Sequence, residues 1–338
     1  MSERPCAELR RRSEAALCGA LVGDAAGATL EFLGRRPTED DVEHALGLPG
    51  GGCWEVGPGQ VTDDGELLIS LARGLVQGGG DFDLDAIAAR YSDWLRSEPF
   101  DVGMTIGSAF GASNDSEDGD GLAAAMQEQA RRRGSDSKAN GSLMRCMPLA
   151  VWGHDLDDDE LARVGRLDSS LSHVNPSCTD AVAAYLIAMA TLLRGGDRDK
   201  ALAAAQDWIE RDGEPEVREW FAHAASGEVY PFHPQAGYAR IAFEHAFRHL
   251  RLGSTYLEAL RETLRGGGDT DTNACIVGGL VAAAEGAVPR ELVEPVLVTW
   301  RWGGQVRPDR FTPHDLLELV DALLAVAPSG RSESQASG

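Results

Sequence analysis

The stretch Gly268-Asp269-Thr270-Asp271-Thr272-Asn273 places two carboxylates and two threonine hydroxyls at the start of an apolar segment, Thr272 to Glu285, whose spacing predicts a helix. A second acidic turn, Val61-Thr62-Asp63-Asp64, precedes another helical segment, Glu66 to Val76. Carboxylate and hydroxyl oxygens are the ligands that Mg²⁺ and Mn²⁺ prefer. Nothing in the local structure of either turn requires the other turn. If the fold brings them together, they predict an active site that binds one or two divalent cations.

Each turn also has a purely structural interpretation. Threonine and aspartate are good helix N-caps, because their side-chain oxygens accept the free N–H groups of the first turn. Capping alone does not require two carboxylates in one turn, since their repulsion costs energy unless a cation or a proton offsets it. A calcium loop beginning at Asp269 is excluded, because glycine and glutamate would have to stand where the chain has Ala274 and Leu280. For Thr62-Asp63, both the capping and the metal-binding interpretation stay open.

Most of the chain has a helical period. Apolar residues recur at three and four positions, runs that alternate at period two are absent, and aromatic residues make up only 6%. These features predict an all-α fold with many helices rather than a doubly wound sheet. The predicted helices are Leu9 to Gly27, Glu66 to Val76, Ala86 to Leu95, Leu122 to Arg133, Asp180 to Arg194, Lys200 to Glu210, Arg240 to Leu252, Tyr256 to Leu264, Thr272 to Glu285 and Pro313 to Ala325.

Glycines at four-residue spacing mark the segment from Gly19 to Phe32. Glycine inside a helix costs about 1 kcal/mol relative to alanine. Repeated glycine therefore predicts a close helix–helix contact or a ligand that approaches the backbone. Glu31 follows this helix, and by base rate such a glutamate is a surface carboxylate.

The composition is that of an ordinary soluble globular protein: 338 residues, 43% hydrophobic and 25% charged. The net charge of −23 disfavours binding to nucleic acid or to an anionic membrane, since both require a positive field. No signal-peptide pattern is present, and the longest apolar stretch, Ala181 to Leu193, is too short to span a membrane. We therefore expect a cytoplasmic protein with no membrane partner, whose six scattered cysteines are reduced.

No linker or internal repeat divides the chain. We expect one domain over residues 1–327 and a disordered tail over residues 328–338. The acidic, polar segment Asn114 to Gly121 is expected to form an exposed loop. The expected oligomeric state is a monomer.

Three further motifs carry polar side chains that suit a ligand. Asn140-Gly141-Ser142 offers free N–H groups and a hydroxyl, as a phosphate requires, although a simple turn before a helix explains it equally well. Ser172-His173-Val174-Asn175-Pro176 precedes the most apolar helix, where a lone histidine is more often structural. His245 and His249 have the spacing of a zinc pair, but no third ligand is evident in the sequence. The chain contains no Gly-rich nucleotide loop and no Gly-x-Ser-x-Gly elbow.

In this order, the motifs resemble the ADP-ribosylglycohydrolase family, which includes dinitrogenase reductase-activating glycohydrolase and the ADP-ribosyl-acceptor hydrolases. The resemblance covers most of the chain, and it implies an all-α orthogonal multi-helix bundle. The matching segments are Gly19 to Phe32, Val61 to Asp64, Phe100 to Gly103, Asn140 to Pro148, Ser172 to Pro176 and Gly266 to Gly279.

The resemblance further implies a dinuclear Mg²⁺ site, with Mn²⁺ as the alternative metal. Its ligands would be Thr62, Asp63, Asp64, Asp269, Asp271 and Thr272. The implied substrate-binding residues are Asn140, Gly141 and Ser142 beside the diphosphate of ADP-ribose, together with His173 and Gly103. The implied candidates for the catalytic base are Asp64, Asp101 and Glu31.

Two positions depart from the family pattern. Gly65 stands where threonine or serine usually follows Thr-Asp-Asp, and we expect it to loosen that turn. Met104 stands where asparagine often follows Asp-Val-Gly, which removes an amide near the substrate ribose.

The reaction that the resemblance implies is hydrolysis of the bond between C1″ of the distal ribose and an acceptor atom on a modified protein, through an oxocarbenium-like state. N-linked ADP-ribosylarginine is the favoured substrate. Serine-linked ADP-ribose, an ADP-ribosylated nucleobase and O-acetyl-ADP-ribose are the alternatives within the same chemistry. A non-catalytic ADP-ribose-binding module and a structural protein, as in a jellyfish lens crystallin that resembles this family, are alternatives of a different class.

Overall fold

The computed structural model describes residues 7–112, 121–298 and 303–328, and in these ranges the regular structure is helical, with no β-strand. The all-α prediction is confirmed. The α-helices are α1 (Ala7–Gly27), α2 (Glu39–Leu46), α3 (Asp63–Gly78), α4 (Leu84–Arg96), α5 (Met104–Phe110), α6 (Leu122–Gly134), α7 (Met147–Trp152), α8 (Asp158–Ser170), α9 (Pro176–Leu193), α10 (Arg198–Asp212), α11 (Pro215–Ser226), α12 (Ala239–Leu252), α13 (Tyr256–Gly266), α14 (Thr270–Glu285), α15 (Arg290–Val298) and α16 (Leu316–Ala325). Two short 3-10 turns, Asp309–Phe311 and Pro313–Asp315, precede α16.

All ten predicted helices are present, with ends that differ by a few residues. Six helices were not predicted, and these are α2, α5, α7, α8, α11 and α15. Most of the predicted loop from Asn114 to Gly121 and of the predicted tail over residues 328–338 lies outside the described residues.

The helices α1 and α14 form the closest pair in the bundle. Three glycines of α1 face α14, and these are Gly19, Gly23 and Gly27. A methyl group at Gly23 would overlap the carbonyl group of Ala274, and one at Gly27 would overlap the backbone of Asp271. The glycine spacing therefore marks a close helix–helix contact, as predicted, and this contact fixes where α14 begins.

Buried apolar side chains from α1 through α16 form one continuous core. Among the described residues, α9 is the one helix long and apolar enough to cross a membrane, but 83% of it is buried inside the fold. Asn175 caps it by accepting the Ser177 N–H at 3.1 Å. All cysteines in the described ranges are free thiols, and only Cys53 among them is exposed.

Candidate active site

The two acidic turns meet at the N-termini of α3 and α14. The Thr272 hydroxyl of one turn lies 3.3 Å from Oδ2 of Asp64 in the other turn, across 208 positions of sequence. The Thr62 hydroxyl lies 3.2 Å from the same oxygen. The fold thus assembles the carboxylates and hydroxyls of both turns into one cluster at two adjacent helix N-termini.

A buried aspartate of α1 holds the first turn in place. Asp24 accepts the backbone N–H of Thr62 at 3.0 Å and that of Gly65 at 2.9 Å. The Thr62 hydroxyl lies 2.9 Å from the Asp24 carboxylate, and it makes no capping bond although Thr62 is the N-cap residue of α3. The Thr62 side chain therefore does not cap α3, and the capping interpretation is wrong for this hydroxyl. Sequence analysis assigned Asp24 no role, although a carboxylate within an apolar glycine-rich helix was a usable signal.

Glu31 joins the cluster from the end of α1. Its carboxylate and those of Asp269 and Asp271 offer oxygens that lie within 4.8 Å of one another. The indole N–H of Trp54 donates to Glu31 at 2.6 Å and orients it. The base-rate expectation of a surface glutamate is therefore wrong here, because Glu31 is half-buried against other carboxylates.

A cavity of about 400 Å³ opens onto this cluster. The predicted residues that line it are Glu31, Asp63, Asp101, Gly103, Asn140, Gly141, His173, Asp269, Asp271 and Thr272. Three predicted residues do not line it, and these are Thr62, Asp64 and Ser142. Thr62 and Asp64 are fully buried behind the wall, and Ser142 is also buried, where it accepts a hydrogen bond from the Ser169 hydroxyl at 2.9 Å.

Burial and the closeness of the carboxylates raise the pKa values of this cluster and favour its protonated form. Burial, and then the neighbouring carboxylates, raise the pKa of Asp63 to about 7 and that of Asp101 to about 9. The same causes hold the pKa of Asp64 and Asp271 well above the usual range. Like charges at this distance disfavour ionisation unless positive charge is added. The cluster is therefore built to receive cations or to retain protons.

A second part of the cavity wall carries amide and imidazole groups. The side-chain amide of Asn140 donates to Asp269 at 2.7 Å and so connects this wall to the acidic cluster. His173 pairs its Nδ1 with the Ser172 hydroxyl at 2.8 Å, while its buried Nε2 has no partner among the described residues. Burial, and then the charge of Arg145, lower the pKa of His173 to about 3. The imidazole is therefore neutral and has one nitrogen left for a ligand.

A buried arginine supports this wall from behind. The Arg145 guanidinium donates to the Gly141 carbonyl at 3.1 Å and to the Ser172 hydroxyl at 2.8 Å. It is fully buried, pairs with Asp168 at 3.3 Å and lies over the Tyr91 ring at 4.7 Å. Arg145 thus ties the turn at Gly141 to the segment that carries His173. Sequence analysis quoted Arg145 but did not foresee this role.

A model of the ADP-ribosylglycohydrolase family matches residues 5–332. The chain belongs to the ADP-ribosylglycohydrolase family. It is 28% identical over 324 residues to the ADP-ribosyl-[dinitrogen reductase] glycohydrolase of Rhodospirillum rubrum, covering 94% of this chain and 96% of that protein. It is 29% identical over 198 residues to the ADP-ribosylarginine hydrolase Tri1 of Pseudomonas putida, covering 57% of this chain and 50% of that protein.

A solved structure titled as an ADP-ribosylglycohydrolase-related protein complex has the same fold, with a TM-score of 0.70. The match covers 96% of this chain and 100% of the other at 24% identity, so it establishes the fold alone. The fold and the family that the sequence motifs implied are both confirmed. The protein is a glycohydrolase of this family, whose members act on ADP-ribosylated substrates.

The oxygen cluster of this ADP-ribosylglycohydrolase fits divalent cations. Every donor in the two turns is a carboxylate or a hydroxyl, as hard cations require. The Oδ1 atom of Asp64 is buried and has no hydrogen-bond partner among the described residues. An unpaired carboxylate oxygen in the interior is costly unless a cation or a proton compensates it.

The two departures from the family pattern have different surroundings. A methyl group at Gly65 would lie 2.8 Å from Oδ2 of Asp24 and 2.7 Å from Cβ of Val61, so the turn is closely packed and not loose as expected. Met104 begins α5 at the cavity wall and is 92% exposed. Its apolar side chain is thus free to contact whatever enters the cavity.

Two aromatic residues at the cavity were not anticipated. Trp54 lies in the loop between α2 and α3, and its ring centroid is 6.3 Å from that of Phe32. Phe32 is 70% exposed at the same wall. Exposed aromatic rings beside a polar cavity commonly stack on planar ligands. Neither residue belongs to a periodic pattern, because both lie outside the regular helices.

Proposed function

We propose that this protein is a divalent-metal-dependent hydrolase that removes ADP-ribose from modified proteins, and that its substrate is N-linked ADP-ribosylarginine. The observation that carries the proposal is the convergence of Glu31, Asp63, Asp101, Asp269 and Asp271 on one cavity of about 400 Å³. The family membership supports the removal of ADP-ribose.

The cations would be two Mg²⁺ ions, or Mn²⁺ in their place. The residues proposed to hold them are Thr62, Asp63, Asp64, Asp269, Asp271 and Thr272, which the fold assembles at the start of α3 and α14. When bound, such cations supply positive charge that orients sugar hydroxyls and lowers the pKa of a water molecule. The unpaired Oδ1 of Asp64 supports a ligand role for that residue.

The three candidates for proton transfer differ in access to substrate. Asp64 is fully buried and does not line the cavity, whereas Asp101 and Glu31 do. Glu31 shares its immediate surroundings with Asp269 and Asp271, two proposed metal ligands. We therefore assign proton transfer to the Asp101 carboxyl, and to Glu31 a supporting role beside the metal ligands.

Arginine as the acceptor follows from the charge of the cavity. A guanidinium group is always positively charged and presents a planar set of N–H donors that matches carboxylates. The cavity wall offers several carboxylates, among them Asp63 and Asp269, so a positively charged acceptor group is favoured there. A guanidine also needs a proton as the glycosidic bond breaks, and the Asp101 carboxyl lines the cavity, where it would supply that proton.

The second part of the wall would bind the rest of the substrate. Asn140, Gly141 and His173 line it, and the free Nε2 of His173 is available to a ligand. Arg145 lies behind this wall, where it donates to the Gly141 carbonyl and pairs with Asp168. Neutral hydrogen-bonding groups on this side suit the diphosphate, whereas the carboxylates suit the cations and the acceptor.

The test is release of ADP-ribose from an arginine-ADP-ribosylated protein, measured with Mg²⁺ and then with EDTA. We expect release that EDTA abolishes. The variants Asp63→Ala and Asp271→Ala should lose turnover and metal dependence, while Asp85→Ala, an aspartate that binds two backbone N–H groups outside the cavity, should retain both. Near-normal kcat in both site variants would contradict the proposal.

A substrate panel separates the alternatives. Cleavage of serine-linked ADP-ribose but not of the arginine conjugate would keep the hydrolase and change its acceptor. Tight binding of free ADP-ribose with no turnover of any conjugate would identify a binding module instead.

A further inference from the structure

Three potential metal ligands lie together away from the active-site cavity. His245 and His249 stand one helical turn apart on α12, and Glu262 lies on the adjacent helix α13. One ligand atom from each residue lies within 4.8 Å of the other two. None of the three lines the cavity. The sequence showed the histidine pair without a third ligand, and the packing of α13 supplies one.

Both histidines are buried and each has one unpaired ring nitrogen. His245 is 3% exposed and His249 is 1% exposed. Nδ1 of His245 and Nε2 of His249 have no hydrogen-bond partner among the described residues. A buried polar atom without a partner carries a substantial desolvation penalty. Two such nitrogens, on rings that cluster with one carboxylate, point to a missing electron-pair acceptor.

The remaining ring nitrogens are already fixed. Nε2 of His245 lies 3.2 Å from the Tyr230 carbonyl oxygen, which can only accept, so Nε2 carries the hydrogen and Nδ1 has a free lone pair. Nδ1 of His249 pairs with the Ser254 hydroxyl at 3.0 Å. Metal-binding histidines characteristically donate their other N–H to a carbonyl or similar group, which sets the tautomer and the ring orientation. The His245 ring is therefore held as a metal site requires, and the His249 ring is held in the same way when its Nδ1 donates to Ser254.

The electrostatic surroundings keep both rings neutral. Burial is the main cause that lowers the pKa of His245 and of His249 to about 4, so both rings are neutral near pH 7. Glu262 binds Arg248 through Oε1 at 2.6 Å, while its Oε2 lies 4.0 Å from Nε2 of His249. One carboxylate oxygen can thus bind a metal while the other keeps its arginine.

We propose that His245, His249 and Glu262 form a second metal site, which binds a transition-metal dication of the Zn²⁺ class. Two imidazole nitrogens and one carboxylate oxygen suit Zn²⁺ and disfavour Mg²⁺, which prefers an all-oxygen set. The side chain of Glu262 is 49% exposed, so solvent can supply a fourth ligand. This site differs from the cavity in both its donors and its location.

The proposed metal would tie α12 to α13. Helix α13 continues through Gly267 and Gly268 into Asp269, and the Tyr230 carbonyl beside His245 belongs to the segment that precedes Gly237 at the cavity wall. A cation at this position would therefore stabilise two segments that lead into the cavity wall. Its primary effect is structural stabilisation, since none of its ligands reaches the substrate side.

The test is Zn²⁺ binding to the full chain after chelator treatment and dialysis into excess Mg²⁺, which occupies the cavity. Calorimetry should show one equivalent of Zn²⁺, and Co²⁺ added in its place should give the visible absorption bands of a tetrahedral site. Glu262→Gln should weaken Zn²⁺ binding at least about tenfold. His249→Gln should abolish the Co²⁺ bands.

Arg248→Gln is the matched control for Glu262→Gln. It breaks the same ion pair with Glu262 but removes no ligand, so Zn²⁺ affinity should be unchanged or higher. Asp271→Ala should also retain the Zn²⁺ site. The absence of Zn²⁺ binding overturns the proposal, as does binding that is unchanged in Glu262→Gln or lost in Asp271→Ala. Because Glu262 is half exposed, its variant decides the question even if the buried histidine variant does not fold.

Discussion

Gly27 on α1 lies so close to Asp271 on α14 that a methyl group at Gly27 would overlap the Cα atom of Asp271. The Thr270 hydroxyl strengthens this contact by donating to the Gly27 carbonyl at 2.7 Å. Asp271 belongs to the acidic turn at the cavity. The packing of the two central helices and the placement of a proposed metal ligand therefore depend on the same glycine.

We expect Gly27→Ala to impair both stability and activity. Overpacking at a rigid contact destabilises by about 1–3 kcal/mol, so the free energy of unfolding in urea should fall by that amount. The displaced Asp271 should also lower kcat/KM and weaken the response to Mg²⁺. Gly111→Ala is the control, because a Cβ there would meet nothing within 4 Å and its φ is −59°. If both variants were equally stable, the α1–α14 contact would accommodate the added methyl group, contrary to this prediction.

Asp24→Asn tests the link between α1 and the first acidic turn. Asparagine keeps the size but has one acceptor oxygen, while its NH₂ group would face one of the N–H donors of Thr62 and Gly65. An unmet buried donor costs about 1–3 kcal/mol. We expect a lower Tm and a weaker metal requirement for turnover. Asp85→Asn, which also replaces one of two carboxylate oxygens that accept backbone N–H groups but lies outside the cavity, should change Tm without changing metal dependence.

Stabilisation by a divalent cation should depend on pH. The pKa of Asp63 is raised to about 7 and that of Asp101 to about 9, whereas unfolded aspartate titrates near about pH 4. Between these values the folded protein binds more protons than the unfolded chain, so the free energy of unfolding falls as pH rises. Bound cations offset this loss. We therefore expect Mg²⁺ to raise Tm more at about pH 8 than at about pH 5.

Thermal unfolding with Mg²⁺ and with EDTA at both pH values checks this prediction. The Asp271→Asn variant should lose most of the Mg²⁺ effect at the higher pH, because it removes a proposed ligand. A Tm gain that is the same at both pH values would argue against metal binding by these carboxylates.

Asp101→Asn should reduce turnover without removing the metals. Loss of a general acid or base typically lowers the rate by about 10²–10⁴-fold, so kcat should fall while KM changes little. The Mg²⁺ effect on Tm should persist. Glu31→Gln is the comparison, and its smaller loss in kcat should come with a weaker Mg²⁺ response, since Glu31 lies against Asp269 and Asp271. If kcat fell more in Glu31→Gln than in Asp101→Asn, proton transfer would belong to Glu31 and the supporting role to Asp101.

Helix class was predictable because apolar residues repeat with a local period. The long helices α1, α9 and α14 have many residues from which that period can be recognised. Short helices offer fewer, and α7, with six residues, is buried on all sides and shows no polar face. Helix α2 did have a local signal that was overlooked, since Thr38 and Asp41 form a capping box.

The candidate site was predictable in part. The adjacent carboxylates of the acidic turns predicted a divalent-cation site. Asp101 and Asn140 line the same cavity as these turns, as the motifs implied. The supporting roles of Trp54 and Arg145 were not predictable, because each depends on a residue more than twenty positions away. Asp24 did have a local signal, a carboxylate within an apolar glycine-rich helix, but its partner Thr62 could not be foreseen.

By itself the sequence determined the all-α class, the family and the kinds of atoms offered to a ligand, because local period and residue chemistry do not depend on distant partners. Only the tertiary structure decided that Asp64 is buried while Asp101 lines the cavity, and that Glu262 reaches the pair formed by His245 and His249. The physical reason is that burial and unpaired polar atoms arise where distant segments pack together. Those contacts depend on the whole fold.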